Sequence, residues 1–268
     1  MIKEYNNGDT FIKENDNYLS ENKYLTQFFY LDAKLLKEIN KNNYAIKIEE
    51  DNKKLLALKV SDFALMLYGN PQLLSSLLRY IKNKDYYFDK IMTSSVIADE
   101  LFKISKEVLN ERYFEFLAMD FMEAREYTEV SSKDVMHAKI EDVDEIYEMQ
   151  VKFIKDCNLD DEANIESIKK NIDKYRIIKK DGKIVSMAIF NKSINSYHIT
   201  EVYTRNEYRN FGYARKIVNT IKNEILDMNE VATLNVDKKN PISNHLYASL
   251  GFKKLFSQGV YHIIKDEK

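Results

Sequence analysis

The stretch Val202-Tyr203-Thr204-Arg205-Asn206-Glu207-Tyr208-Arg209-Asn210-Phe211-Gly212-Tyr213-Ala214 decides how this chain is read. Upstream, Ser196 to Thr204 has the composition of a β-strand. A polar turn, Arg205 to Phe211, follows. Downstream, Ala214, Ile217, Val218, Ile221 and Ile225 recur at helical spacing, which predicts a helix from Gly212 to Asp227 with one face on a sheet. A helix start leaves backbone N–H groups without partners and carries a partial positive charge, so it can hold an anion. Gly212 allows close approach of a phosphate, and Ala214 is too small to block it. Arg209 either adds a contact to phosphate or braces the turn.

Working outward, Asn240 is placed as an N-cap, Pro241 as the first helical residue and Gly251 as the stop, predicting a helix from Pro241 to Leu250. A strand is expected at Val231 to Val236 and a last one at Val260 to Ile264. Before the turn, strands at Tyr175 to Lys179 and Ile184 to Phe190 are joined by Asp181-Gly182, a tight-hairpin pair. Helices are expected at Glu141 to Lys155 and Ile165 to Asp173, and a strand at Val135 to Ile140. The polar run Thr128 to Lys133 reads as a linker.

The first part has a similar order. The first 40 residues look helical and Tyr/Phe-rich, with Thr10 to Tyr30 charged and aromatics interspersed. Strands are expected at Tyr44 to Glu49, over Leu55 to Leu67, and at Ile91-Met92. Asn70-Pro71 opens a helix running to Lys82, and Val96 to Asn110 is a second. The expected division is therefore 1–130 and 131–268, with a weak internal duplication.

Composition narrows the function. The chain has 268 residues, 44% of them hydrophobic, and a net charge of −2, so one or two cored domains form and no strong cationic field favours nucleic acid. No apolar run is long enough to span a bilayer, and the N-terminus does not read as a signal peptide, so a cytoplasmic location is expected. The single cysteine, Cys157, offers neither a disulfide nor a metal framework and reads as a structural thiol. The four histidines, His137, His198, His245 and His262, show no metal-ligand spacing, so no metal is expected. No P-loop and no Gly-x-Gly-x-x-Gly fingerprint is present.

Two motifs in order carry a resemblance. Arg209-Asn210-Phe211-Gly212-Tyr213-Ala214 after a strand is similar to the Arg/Gln-x-x-Gly-x-Gly/Ala turn of the GNAT superfamily of N-acetyltransferases. Val236-x-x-x-Asn240-x-x-Ser243-x-x-Leu246-Tyr247-x-x-x-Gly251-Phe252 resembles that family's downstream segment, with Ser243 where Ala is usual. The likeness covers about residues 133 to 265. It implies an α/β (α+β) fold: two GNAT-like domains, each a mixed, largely antiparallel sheet flanked by helices. Two central strands would splay apart in the C-terminal domain. The first domain lacks the phosphate turn, so the resemblance implies a degenerate copy that does not bind coenzyme A and instead shapes the acceptor pocket or an interface.

The resemblance implies an acetyl-CoA-dependent N-acetyltransferase acting by direct attack in a ternary complex on a primary amine of a small-molecule or amino-acid-like acceptor. The alternative is a non-catalytic acyl-CoA-binding regulatory or scaffolding module; an interaction protein with an accidental motif is a third reading. Expected cofactor contacts are Val202, Tyr203, Thr204, Arg209, Asn210, Phe211, Gly212, Tyr213, Ala214, Arg215, Asn240 and Ser243. Tyr247 matches the position of the acid that protonates the leaving thiolate, against a packing role. Glu201, on the splayed strand, is the candidate base, against a surface strand Glu, with Val202 facing the opposite way. Glu207 reads as a solvated turn residue. The chain is expected to work as a monomer or homodimer without nucleic acid or membrane.

Overall fold

The computed structural model describes residues 1–130, 133–159 and 161–264. Ser131 and Ser132 of the expected linker, and residues 265–268 of the expected second domain, lie outside them. In chain order the elements are β1 (Ile2–Glu4), α1 (Gly8–Ser20), α2 (Gln27–Asp32), β2 (Tyr44–Glu50), β3 (Lys53–Lys59), β4 (Leu65–Gly69), α3 (Leu74–Asn83), β5 (Lys90–Ser94), α4 (Ser95–Leu109), β6 (Tyr113–Ala124), β7 (Met136–His137), α5 (Val143–Asp156), α6 (Ile165–Lys170), β8 (Tyr175–Lys180), β9 (Lys183–Lys192), β10 (Tyr197–Thr204), α7 (Tyr213–Asp227), β11 (Ala232–Asp237), α8 (Pro241–Ser249) and β12 (Lys253–Ile263).

The described residues form two compact units, one of residues 1–120 with 256–264, the other drawn from residues 121–255. That differs from a cut at 130/131, because the last strand packs with the first unit: β12 runs antiparallel to β5, with Gln258 opposite Ser94 and His262 opposite Lys90. The backbone pairing of the final strand outweighs its place in the sequence.

In the first unit β1, β2, β3 and β4 pair antiparallel in sequence order, and β4 then pairs parallel with β5 at Leu65↔Ile91 and Met66↔Met92. The expected strand over Leu55 to Leu67 is two strands, because the chain reverses where Ser61 takes a left-handed φ of +48°. The first 40 residues, expected to be helical, hold the short strand β1 as well as two separate helices, α1 and α2. The Thr26 hydroxyl donates to Leu19 O at 2.7 Å and closes the end of α1. Leu74, Leu77, Leu78 and Ile81 of α3 pack with Ile97, Ala98 and Leu101 of α4 over Ile46, Ala57 and Leu65.

In the second unit β7, β8, β9 and β10 pair antiparallel, and β10 pairs parallel with β11. The hairpin between β8 and β9 turns on Asp181 (φ +50°) and Gly182 (φ +77°), the left-handed pair that its residue types favour. The strand expected over Val135 to Ile140 shrinks to Met136–His137, since Ile140–Asp142 already coils as a 3-10 turn into α5. Ile184 to Ile189 of β9 are buried on both faces. One face is covered by Ile217, Val218, Ile221 and Ile225 of α7, the other by Ile146 and Met149 of α5. A strand covered on both sides reads as a continuous apolar run, which is what Ile184-Val185-Ser186-Met187-Ala188-Ile189 is.

Candidate acyl-transfer site

The site is built where β10 stops following its parallel neighbour. β10 and β11 pair at Tyr197↔Ala232, His198↔Thr233 and Ile199↔Leu234, and no further, although β10 runs on to Thr204 and β11 to Asp237. The break coincides with a bulge. The β9–β10 register jumps between Thr200 and Tyr203, and Glu201 takes φ +52°. A bulge adds a residue on one strand and bends it, which re-aims the side chains beyond. Ile199 packs with the α7-side core, whereas Tyr203 packs with the α5-side core, so the bulge lies between two opposite alternations.

The freed edge has a defined polarity. The Arg205 N–H donates to Val185 O of β9 at 3.0 Å. Strand period two then aims the backbone groups of Val202 and Thr204 away from β9, towards the opened side. The Thr204 carbonyl there accepts from Arg209 Nε at 3.1 Å. The Tyr203 carbonyl faces the other way and accepts from the Ser186 hydroxyl at 3.2 Å.

The turn leading to α7 presents backbone N–H groups at an uncapped helix start. Asn210 (φ +68°) and Gly212 (φ +78°) are both left-handed, and Phe211 between them is exposed. Gly212 stands at the N-cap of α7 with no side-chain cap, and the first turn, Tyr213, Ala214 and Arg215, holds no acid. Uncapped N–H groups without a competing carboxylate are what a phosphate binds. A Cβ built on Gly212 meets nothing within 4 Å, so the space around it is open.

Arg209 of the turn and Arg215 just beyond it both brace the structure. Arg209 Nη2 pairs with Asp156 at 3.0 Å, with the guanidinium 5.7 Å from the centre of the Tyr203 ring. Arg215 Nη1 donates to Ser249 Oγ at 2.6 Å, tying α7 to α8. Asn240 uses its side chain as a cap, accepting from the Ser243 N–H at 3.0 Å, which fixes the start of α8.

Glu201 and Tyr247 sit in different surroundings. Glu201 Oε2 accepts from the Tyr175 hydroxyl at 2.9 Å and Oε1 from Gln150 Nε2 at 3.1 Å. Burial raises its pKa above the usual carboxylate range, and the two hydrogen bonds oppose that shift. Glu201 and Val202 do point to opposite faces, and both are half-buried rather than one facing solvent. Tyr247 is buried in the α7-side core, edge-on to Phe252 at 6.1 Å. Burial, and then the nearby Cys157, push its phenol well above the ordinary value, so it stays protonated. Cys157 is an exposed residue, but its thiol is also pushed up, first by partial desolvation and then by Asp156 and Asp237, so it is not a ready thiolate.

Several groups at the site were not legible in the sequence. Gln150 and Tyr175, which hold Glu201, lie 51 and 26 residues away from it in sequence. No spacing rule connects them. His198 is structural: its Nδ1 lies 3.1 Å from Thr233 Oγ1, its ring stacks on Phe121, and burial lowers its pKa to about 4. Among the described residues no group of three or more His, Cys, Asp or Glu could hold a metal ion, and no helix is long and apolar enough to cross a membrane.

The sequence profile of the acetyltransferase (GNAT) family matches residues 140–252. No curated protein matches the chain in sequence. Among solved structures, a GCN5-related N-acetyltransferase from Sphaerobacter thermophilus is similar, with 13% identity, 86% of this chain and 83% of that one covered, and a TM-score of 0.61. An acetyltransferase of the GNAT family from Colwellia psychrerythraea aligns over 99% of this chain and 100% of its own at 11% identity, with a TM-score of 0.59. Those likenesses extend the fold over both units. With the profile match lying on the opened strand, the uncapped helix start and α8, the chain carries an acetyltransferase domain of the GNAT family at residues 140–252 and is an acyltransferase.

Proposed function

We propose that the chain transfers an acetyl group from acetyl-CoA to the primary amine of a small-molecule or amino-acid-like acceptor, by direct attack with both substrates bound. The observation that carries this reading is the pairing of an uncapped helix start at Gly212 with a strand edge freed from β11 beyond Ile199. One feature suits a pyrophosphate and the other an extended amide-bearing arm. Acetyl-CoA supplies the activated thioester.

The chain's own groups have the following parts in this proposal. N–H groups from Phe211 to Arg215 hold the pyrophosphate, and Arg209 keeps the turn in shape through Asp156 and Thr204 O. The Val202 backbone, aimed at the opened side, bonds the pantetheine arm and polarises the thioester carbonyl, a preorganised donor that needs no rearrangement. Glu201, held by Tyr175 and Gln150, takes the acceptor's proton through a water. The Tyr247 hydroxyl gives its proton to the departing sulfur. Lining up the two substrates supplies much of the remaining acceleration.

The first unit is, in this reading, a degenerate copy. β2, β3, β4, α3, β5 and α4 repeat the order β8, β9, β10, α7, β11 and α8. The helix start after β4 lacks what α7 has. The Asn70 side chain accepts from the Gln72 N–H at 2.9 Å, and Pro71 has no N–H to give. The test is thiol release from acetyl-CoA across a panel of primary amines. Turnover with at least one amine is expected; saturable binding without release from any of them would contradict it.

A further inference from the structure

Phosphate binding leaves one side chain of the turn unexplained. Phe211 is 66% exposed, although the turn that carries it joins two well-packed elements. Left-handed backbone on both sides, at Asn210 and Gly212, holds it out from the core. Its ring is not loose: it stacks on Tyr213 with centroids 6.0 Å apart and planes at 26°. Tyr213 is anchored in turn, half-buried against the α7-side core with Lys180 Nζ 5.8 Å from its ring centre. The result is an exposed aromatic ring held by stacking on a partly buried one. An exposed ring of that size gains from being covered by another flat apolar surface.

We propose that Phe211, backed by Tyr213, is the platform on which the adenine of coenzyme A stacks. This rests on reading Gly212 as the pyrophosphate cradle. In coenzyme A the adenosine is joined to the pyrophosphate through the ribose 5′ carbon, so the base lies within one sugar's reach of the cradle. Phe211 is the residue adjoining Gly212. A base has a π-face that a ring can cover without reading its edge, so the contact adds affinity for the nucleotide end and leaves the acyl end untouched.

The experiment compares coenzyme A with pantetheine 4′-phosphate, which lacks the adenosine together with its 3′-phosphate and the adjoining phosphate of the pyrophosphate. Affinities are measured by calorimetry for the first, and by ligand-observed NMR for the second, in the wild type, Phe211→Ala and Phe211→Trp. The ratio of the two affinities is expected to fall about ten-fold in Phe211→Ala, equivalent to ~1.4 kcal/mol, and to return in Phe211→Trp. An unchanged ratio overturns the platform, whether both affinities hold or both fall together. If the wild type binds no coenzyme A, the cradle reading fails and takes this proposal with it. If it binds coenzyme A and the ratio holds, only the platform fails.

Discussion

Replacing Gly212 with Ala separates cofactor binding from folding, because the structure contains its own control. Gly212 has φ +78° and Gly182, in the β8–β9 hairpin, has φ +77°. A Cβ at either position meets nothing within 4 Å. Both substitutions therefore carry only the backbone penalty of a left-handed L-residue, about 1 kcal/mol. For a chain of this size that lowers Tm by about 2–4 °C, equally for the two variants. Only Gly212→Ala adds a methyl group at the uncapped start of α7. Losing one charge-assisted contact there costs about 1.5–3 kcal/mol, which is roughly a 10- to 100-fold weaker Kd for coenzyme A. Scanning calorimetry measures the first quantity and isothermal titration the second. Equal affinities for coenzyme A in the two variants would refute the reasoning. So would a much larger Tm loss in Gly212→Ala, since that means the turn is packed rather than open.

Three further outcomes follow from the same geometry. Tyr247→Phe removes a hydroxyl buried among apolar residues, and is expected to lower kcat about 100-fold while KM for acetyl-CoA and Tm hardly change; a KM effect alone contradicts the acid role. As the proposed base Glu201 would act deprotonated, and burial raises its pKa, so kcat/KM should climb with pH through a value above the usual carboxylate range. Glu201→Gln should abolish that limb, and a limb that persists assigns it to another group. Lys222 is fully buried and donates to Glu126 O, Thr128 Oγ1 and Leu250 O, while burial lowers its pKa from 10.5 to about 8. Between those values the unfolded chain binds a proton that the folded one does not. The stability Lys222 contributes therefore rises with pH across that window. The gap between wild type and Lys222→Met in chemical denaturation should widen from about pH 8 to pH 10, and a constant gap would count against it.

The parts of this protein that are local in sequence were readable from it. Asp181-Gly182, Asn70-Pro71 and Asn240-Pro241 each announce a turn or a helix start by their own backbone preferences, and each stands where its residue types put it. The apolar spacing of Ile217, Val218, Ile221 and Ile225 fixed the buried face of α7 in the same way. What was not readable depends on partners distant in the chain. The bulge at Glu201 has no glycine to mark it; it exists because β10 is anchored to β9 on both sides of it and released from β11. The last strand gives no sign in its residues that it pairs with β5. Arg209 allowed two roles from sequence, and nothing local in the sequence announces that its guanidinium bonds Asp156, 53 residues away, as well as Thr204 O.

In the proposed function the second unit's opened strand and helix start hold coenzyme A while the first unit's corresponding helix start does not. Amide-resolved NMR of the full chain, titrated with coenzyme A, tests it most directly. Saturable shifts are expected at Val202 and from Phe211 to Arg215, with Gln72 to Leu74 unmoved. Shifts centred on Gln72 to Leu74, or none between Phe211 and Arg215 at saturating coenzyme A, would contradict it.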